Sequence, residues 1–245
     1  MVSGNYIGTN KAGLVALPNS WDGVQIADGA ASNTIGGTTA NHRNLISGNL
    51  LSGVLVAGDG TDDNVISANW IGVNVLGTSA IANGNTGVLV TNGATGTIVG
   101  SCVAGAGNVI SGNTVEGVRV ENFSPGFFTT DTHIIGNMIG TNALGTAAIA
   151  NPTGVIIAGG SSGNFVGGNT VNQRNIISGN ATGVQISGAG TDGNVVQGNY
   201  IGVDANGLTG LGNAADGVNI AGGAAGNTIG SSLAGGPKRD QRKRQ

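Results

Sequence analysis

Six residues near the start of the chain have the types and spacing that chemistry on a sugar would use: Trp21-Asp22, His42-Arg43 and Asp62-Asp63. Each pair runs straight into a short aliphatic segment, with Val24 two residues after Asp22, Leu45 two after Arg43 and Val65 two after Asp63. If those segments are strands of successive coils, the pairs stack about one strand spacing, ~4.8 Å, apart. Asp22, Arg43 and Asp63 then form a column of alternating charge beside Trp21, His42 and Asp62. In the functional reading Trp21 and Asp22 bind, Trp21 as a stacking platform for a small saccharide or cation, while Asp62, Asp63, His42 and Arg43 are the catalytic candidates. In the other reading, opposite charges on adjacent coils merely tolerate each other, an effect of ~0.2–1 kcal/mol. The second is preferred and no catalytic residue is assigned, because Pro152-Thr153, Gln173-Arg174 and Asp192-Gly193 hold the same offsets later in the chain, and the set is not repeated.

Calcium is a weaker expectation. Gly58-Asp59-Gly60-Thr61-Asp62 and Gly188-Ala189-Gly190-Thr191-Asp192 share the Gly-x-Gly-x-Asp part of nonapeptide turns that bind Ca²⁺ in β-rolls, but they stand far apart in the chain. One turn does not supply the 6–8 oxygens of a Ca²⁺ shell, so no metal or other cofactor is assigned. Cys102 is the single cysteine, which excludes an intrachain disulfide and thiolate zinc spacings. Ser47, Ser67, Ser111 and Ser178 recur without a partnered His, which leaves nucleophilic catalysis unsupported. His133 reads as a variant of an Asn corner, and Phe123, Phe127 and Phe128 cluster in the longest irregular stretch, Glu121–Thr132, read as a loop packed on the flank, with a loop that grips a ligand as the alternative.

The elements that must position these residues follow from composition. Of 245 residues, 49 are Gly and 30 are Asn, only 3% are aromatic and 9% are charged. An ordinary core of aromatics and long Leu/Glu/Lys helices is thereby excluded. A six-residue segment bounded by Asn occurs five times, as in Asn44-Leu45-Ile46-Ser47-Gly48-Asn49 and Asn108-Val109-Ile110-Ser111-Gly112-Asn113. A second motif, Gly-Val-x-aliphatic, occurs seven times, from Gly23-Val24-Gln25-Ile26 to Gly217-Val218-Asn219-Ile220. Both are short β-branched runs between turn residues, hence strands of three to five residues.

With one strand taken per coil, the series Val24, Leu45, Val65, Val88, Val109, Ile134, Val155, Ile176, Val195 and Val218 gives a mean period of ~22 residues. The strings Asn5-Tyr6-Ile7-Gly8, Asn69-Trp70-Ile71-Gly72, Asn137-Met138-Ile139-Gly140 and Asn199-Tyr200-Ile201-Gly202 add a super-repeat of ~64 residues. The expected fold is all-β: a single-stranded parallel β-helix of about 11 coils of ~22 residues, three coils per super-repeat and roughly 50 Å long. Gly and Asn serve the corners because they enter the left-handed backbone region at least cost. Asn113 is expected at such a corner, where stacked amides hydrogen-bond from coil to coil. Ile26, Ile46, Ile66, Ile110, Ile177 and Val196 are expected inside.

The strings Gly4-Asn5-Tyr6-Ile7-Gly8-Thr9-Asn10, Ala31-Ser32-Asn33-Thr34-Ile35-Gly36-Gly37 and Arg43-Asn44-Leu45-Ile46-Ser47-Gly48-Asn49 resemble the right-handed parallel β-helix repeats of the pectin-lyase-like superfamily. Within it they are most similar to repeat arrays of large secreted or surface-attached bacterial proteins. The resemblance implies an extracellular or cell-surface location and polysaccharide or cell-surface components as partners, while the match of Val2-Ser3-Gly4-Asn5-Tyr6-Ile7-Gly8 to Val196-Gln197-Gly198-Asn199-Tyr200-Ile201-Gly202 leads us to expect adjoining coils of a longer parent chain. It does not choose an activity, since that superfamily includes lyases, hydrolases, epimerases and arrays with no assigned reaction. The function expected is a non-catalytic structural or adhesive segment, with a carbohydrate-active enzyme or carbohydrate-binding module as the alternative. Residues 1–236 are expected to form the β-helix and 237–245 a disordered basic tail, whose five basic residues contrast with an acidic body. No nucleic-acid partner is expected. No apolar run approaches the ~20 residues of a membrane span, so no membrane insertion is expected either.

Overall fold

The computed structural model describes residues 1–124 and 126–230. The chain winds as a parallel β-solenoid in which every coil contributes one short strand to each of three faces. The first three coils carry β1 (Tyr6–Ile7), β2 (Val24–Ala27) and β3 (Thr34–Gly36); β4 (Leu45–Ile46), β5 (Val54–Ala57) and β6 (Val65–Ser67); and β7 (Trp70–Ile71), β8 (Val88–Thr91) and β9 (Ile98–Gly100). The fourth and fifth carry β10 (Val109–Ile110), β11 (Glu116–Glu121) and β12 (His133–Ile135), then β13 (Met138–Ile139), β14 (Thr153–Ala158) and β15 (Phe165–Gly167). The last two carry β16 (Ile176–Ile177), β17 (Thr182–Ser187) and β18 (Val195–Gln197), then β19 (Tyr200–Ile201), β20 (Val218–Ala221) and β21 (Thr228–Ile229). Face one is β1-β4-β7-β10-β13-β16-β19, face two is β2-β5-β8-β11-β14-β17-β20, and face three is β3-β6-β9-β12-β15-β18-β21.

All ladder pairings between these strands are parallel, as expected. The only helical segments among the described residues are two three-residue 3₁₀ turns, Ala40–His42 and Val171–Gln173. The coil number differs from expectation. Val24, Val54, Val88, Val118, Val155, Val184 and Val218 stack in register, one from each coil. The solenoid therefore has seven strands per face and about six turns of about 32 residues, where the sequence reading expects about 11 coils of ~22. Six spacings of ~4.8 Å make it roughly 30 Å long. The shorter period went astray because Val24, Leu45 and Val65 belong to faces two, one and three. All three faces use the same aliphatic pattern, so a step of two-thirds of a turn reads like a full one.

The super-repeat holds two coils, not three. Odd coils carry a loop after the face-one strand, closed by a single antiparallel bridge such as Thr9–Ala16, Val73–Ala80, Thr141–Ala148 or Val203–Gly210. Each loop begins with a side chain whose Oδ1 accepts the backbone N–H four residues on: Asn10, Asn74, Asn142 and Asp204, at 2.9–3.1 Å. At Asp204 the backbone N–H groups of Leu208 and Thr209 hold the carboxyl below the usual carboxylate range. Even coils instead carry an insertion before the face-one strand, such as the one that holds the first 3₁₀ turn.

Strand alternation fills a narrow core. Ile46, Ile71, Ile110, Ile139 and Ile177 from face one meet Val54, Val56, Val88, Val90 and their counterparts from face two, and Ile35, Ile66, Val99, Ile134 and Val166 from face three. The six expected inward aliphatics are all buried. The Gly of every Gly-Val motif but the last, Gly217, is required by close approach. A Cβ on Gly53 would stand 2.7 Å from the Gly87 carbonyl oxygen, 2.7 Å from Ile71 Cγ2 and 3.0 Å from Asn83 Nδ2.

The corners are joined by stacked amides. Along one edge Asn5, Asn44, Asn69, Asn108, Asn137, Asn175 and Asn199 form an unbroken column in which each Nδ2 donates to the next Oδ1 at 2.9–3.1 Å. The second proton of Asn108 Nδ2 goes back to the Ile66 carbonyl at 2.7 Å, and its backbone N–H to Asn137 Oδ1 at 3.0 Å. A second column runs Asn19, Asn49, Asn83, Asn113, Asn151, Asn180 and Asn213 at 2.8–3.4 Å. Asn113 is buried there as expected, but the left-handed residue is the preceding Gly112, at φ 71°. The third column is interrupted. Asn33 donates to Asn64 and Asn164 to Asn194 and on to Asn227, but Thr97 and Thr132 stand between. Both are fully buried, and their Oγ1 atoms have no hydrogen-bond partner among the described residues. Register puts His133 opposite Ile98, so it is Thr132, not His133, that replaces the Asn. The expected domain boundary at residue 236 and the basic tail lie outside the described residues.

Two outcomes follow from the columns. Asn113→Leu removes a group that donates to Asn151 and accepts from Asn83, and should cost about 1–3 kcal/mol in denaturant unfolding. The double change Thr97→Asn and Thr132→Asn completes the third column and should instead raise stability by about 1–2 kcal/mol, measured by the same unfolding curve. A lower midpoint for that double variant would show that the two threonines fit a space too small for the amide.

Candidate functional site

The structure separates the six candidate residues. Trp21-Asp22 precedes β2 at the corner between faces one and two, His42-Arg43 precedes β4 between faces three and one, and Asp62-Asp63 precedes β6 between faces two and three. The alternating-charge column therefore does not exist. The coil neighbour of Asp22 is Ser52, and that of Asp63 toward the next coil is Gly96, as the registers of β2 with β5 and of β6 with β9 require. The sequence offsets were equal because every corner lies at the same distance from the strand it feeds.

Each acid has a local task. Asp22 Oδ1 accepts the backbone N–H of Ser52 at 2.8 Å. Asp62 Oδ1 accepts both the backbone N–H and the hydroxyl of Thr95, at 3.0 and 2.8 Å. Asp192, in the second Gly-x-Gly-x-Asp turn, does the same for the N–H of Ala225 at 2.7 Å. The Thr of that turn is also a fixture: Thr61 Oγ1 donates to the Ala57 carbonyl and accepts from Gly29, and Thr191 repeats this with Ser187 and Gly160. The motif that suggested Ca²⁺ is thus a stacking turn whose oxygens bond to the neighbouring coil. Among the described residues no three His, Cys, Asp or Glu side chains come together as a metal site. Asp63 adopts φ 55°, in a column of left-handed corner residues that includes Ser32, Gly96 and Gly193, and Asp is one of the few residue types that tolerates that conformation.

Trp21 is 73% exposed at its corner. His42 Nδ1 meets the Thr39 hydroxyl at 3.1 Å within the 3₁₀ turn. The Arg43 guanidinium lies over the Trp70 ring, 4.2 Å from its centroid, and burial pushes its pKa below the usual range.

One feature escaped the sequence reading, and a second was seen there only as a loop rich in Phe. The first is a charge cluster on the outer side of β11, where Arg119 pairs with Glu116 at 2.9 Å and with Glu121, and lies 5.2 Å over Phe123. Glu116 is nearly buried and also accepts the Thr86 hydroxyl at 2.7 Å. Three charges within six residues of a chain so poor in charge was the available signal. Both carboxylates hold the same guanidinium, the geometry of a clamp and not of an acid and a base across a substrate. The second is a groove of about 390 Å³ beside face two, lined by Gln25, Asp28, Asp59, Asn92 and Phe127 among others. The loop after β11, the longest link between faces two and three, reaches back toward earlier coils to make it. The Phe123 N–H donates to Asn92 Oδ1 at 3.0 Å, and Phe127 stands against Gly93. Phe123, Phe127 and Phe128 all remain exposed.

No described helix is long and apolar enough to cross a membrane. Comparison with known proteins gives no match among family models, curated proteins or solved structures.

The local task of Asp62 can be separated from a chemical one. Asp62→Asn keeps the Oδ1 acceptor for Thr95 and should change stability by less than about 1 kcal/mol, whereas Asp62→Ala should cost about 1–2 kcal/mol in thermal or urea unfolding. Equal stability of the two variants would remove the structural role assigned to this carboxylate.

Proposed function

We propose that the chain is a non-catalytic structural or adhesive β-solenoid segment of a secreted or cell-surface protein. The observation that carries this reading is the set of buried asparagine columns, two of them continuous through all seven coils. They tie each coil to the next by side chains as well as by sheet bonds, so the body resists bending and shear as a rod does. The corner carboxylates support it too, since Asp22, Asp62 and Asp192 are spent on backbone and hydroxyl donors of the next coil. The likeness of its repeats to those of pectin-lyase-like surface arrays points to an extracellular rod with polysaccharide or other surface components as partners.

A carbohydrate-binding module is the second reading, favoured by the groove that joins the exposed Phe127 ring to the amides of Gln25 and Asn92 and the carboxylates of Asp28 and Asp59. An aromatic face flanked by hydrogen-bonding groups is a common way to hold a sugar ring. The test is a screen of neutral and uronate glycans for reducing-end or unsaturated products, with calorimetric binding in parallel. The scaffold reading expects no turnover, and expects the double change Asp62→Asn and Asp63→Asn to alter stability by no more than about 1 kcal/mol. Turnover that vanishes in this double variant while its fold persists would overturn it. Binding without turnover, lost on Phe127→Ala, would select the second reading.

A further inference from the structure

Face one carries a second, smaller pocket that neither reading uses. Tyr6, Leu45 and Trp70 stand opposite one another on β1, β4 and β7. Their side chains line a cavity of about 190 Å³ together with Ala40, Arg43 and Val75. Register places Tyr6 and Trp70 two strand spacings apart, roughly 9–10 Å, with the buried Leu45 between them. Ala40 and Arg43 come from the turn before β4, and Val75 comes from the loop after β7. Five of the six lining residues are apolar or aromatic, and the sixth is a cation.

That cation lacks a counter-charge. The ion pairs among the described residues involve Arg119 and His133, and Arg43 has no carboxylate within ion-pair distance. Its Nε is buried and makes no hydrogen bond. The same device recurs at the equivalent place two super-repeats on, where Arg174 lies 4.0 Å over Tyr200. There the Nε donates to the Gly198 carbonyl at 3.1 Å. There too the counterpart of Tyr6 is Met138, as the registers of β13, β16 and β19 show, so no second aromatic wall faces the ring. Among the described residues, only at Arg43 do two aromatic side chains flank a guanidinium with an unsatisfied donor.

From this arrangement we propose that the Tyr6–Arg43–Trp70 pocket binds a small aromatic carboxylate. A guanidinium stacked face-on against an indole keeps its terminal N–H groups, which bond to no described residue, available at its edge, and a planar carboxylate is the anion that matches them. The walls of Tyr6, Leu45, Trp70 and Val75 suit a flat apolar body, against which a tetrahedral anion would have to shed hydration water. Desolvation of the unpaired Arg43, which already depresses its pKa, adds to the attraction for an anion. The site stands on a different face from the groove at Phe127, and its fate is independent of whether the chain binds glycans.

The experiment titrates the full chain, ¹⁵N-labelled, with benzoate, acetate, benzyl alcohol and inorganic phosphate while following the arginine Nε–Hε resonances. Benzoate should give a saturable shift of Arg43 Nε–Hε with no comparable change at Arg174. Acetate, benzyl alcohol and phosphate should each bind at least ten-fold more weakly. Arg43→Gln should abolish benzoate binding and Arg174→Gln should leave it intact. Tyr6→Leu, on an exposed side chain, should weaken it several-fold and serves as the second variant if Arg43→Gln unfolds. A linear, unsaturated shift, an equal response at Arg174, phosphate binding as tight as benzoate, or retained binding in folded Arg43→Gln would each overturn the proposal.

Discussion

The buried side-chain amide is the constraint on which this structure depends. An asparagine at a coil corner offers one acceptor and two donors at a reach that matches the strand spacing, so it can satisfy a carbonyl behind it and an identical amide ahead. Asn108 does all of this at once, with bonds to Ile66, Asn69 and Asn137. Aspartate lacks the donors, glutamine is a methylene too long, and leucine leaves every partner stranded in a dry corner. The constraint propagates outward. A buried amide column leaves no room beside it, which is why a Cβ on Gly53 would collide with both an asparagine and the neighbouring glycine carbonyl.

The aliphatic stacks and the amide columns divide the work. Ile and Val in register fill the interior at nearly uniform cross-section, and burial of those side chains is the main driving force for collapse. Strand alternation sets which side chains face inward, and the amides reinforce that register, since a shift of one residue would leave a donor or acceptor unpaired in the corner. Where the third column gives way to Thr97 and Thr132, two hydroxyls are buried without partners, and the longest link between faces two and three arrives at that corner, just before β12. The interruption and the insertion meet there, and the inserted loop supplies the aromatic side of the groove at Phe127.

Function has to be sought in what the repeat leaves over. The corner amides and many of the hydroxyls are committed inward or to the next coil, so an uncommitted side chain in a repeated position stands out against a regular background. Arg43 is one such place: its counterpart Arg174 is bonded to a carbonyl, and the difference between two copies of one device is more informative than either alone. Internal repetition thereby acts as a control that a non-repetitive fold does not offer.

By itself the sequence determined the fold class. Gly, Asn and short β-branched runs exclude helix, the periodic Asn strings require stacked corners, and Ile46, Ile110 and Ile177 could be placed inside from alternation alone. These are local properties, set by backbone preference and by which residues can be buried, and they survive without knowing which strand meets which. The number of strands per turn is not local. Val24, Leu45 and Val65 carry one pattern on three different faces, so only the closure of the chain on itself decided that three short strands, not one, complete a turn. The candidate site depended on that closure and dissolved with it: Asp22, Arg43 and Asp63 share an offset in sequence but occupy three corners in space. What did converge, Tyr6 with Arg43 and Trp70, comes from three successive coils, a juxtaposition that exists only once parallel pairing has set Tyr6 against Leu45 and Leu45 against Trp70.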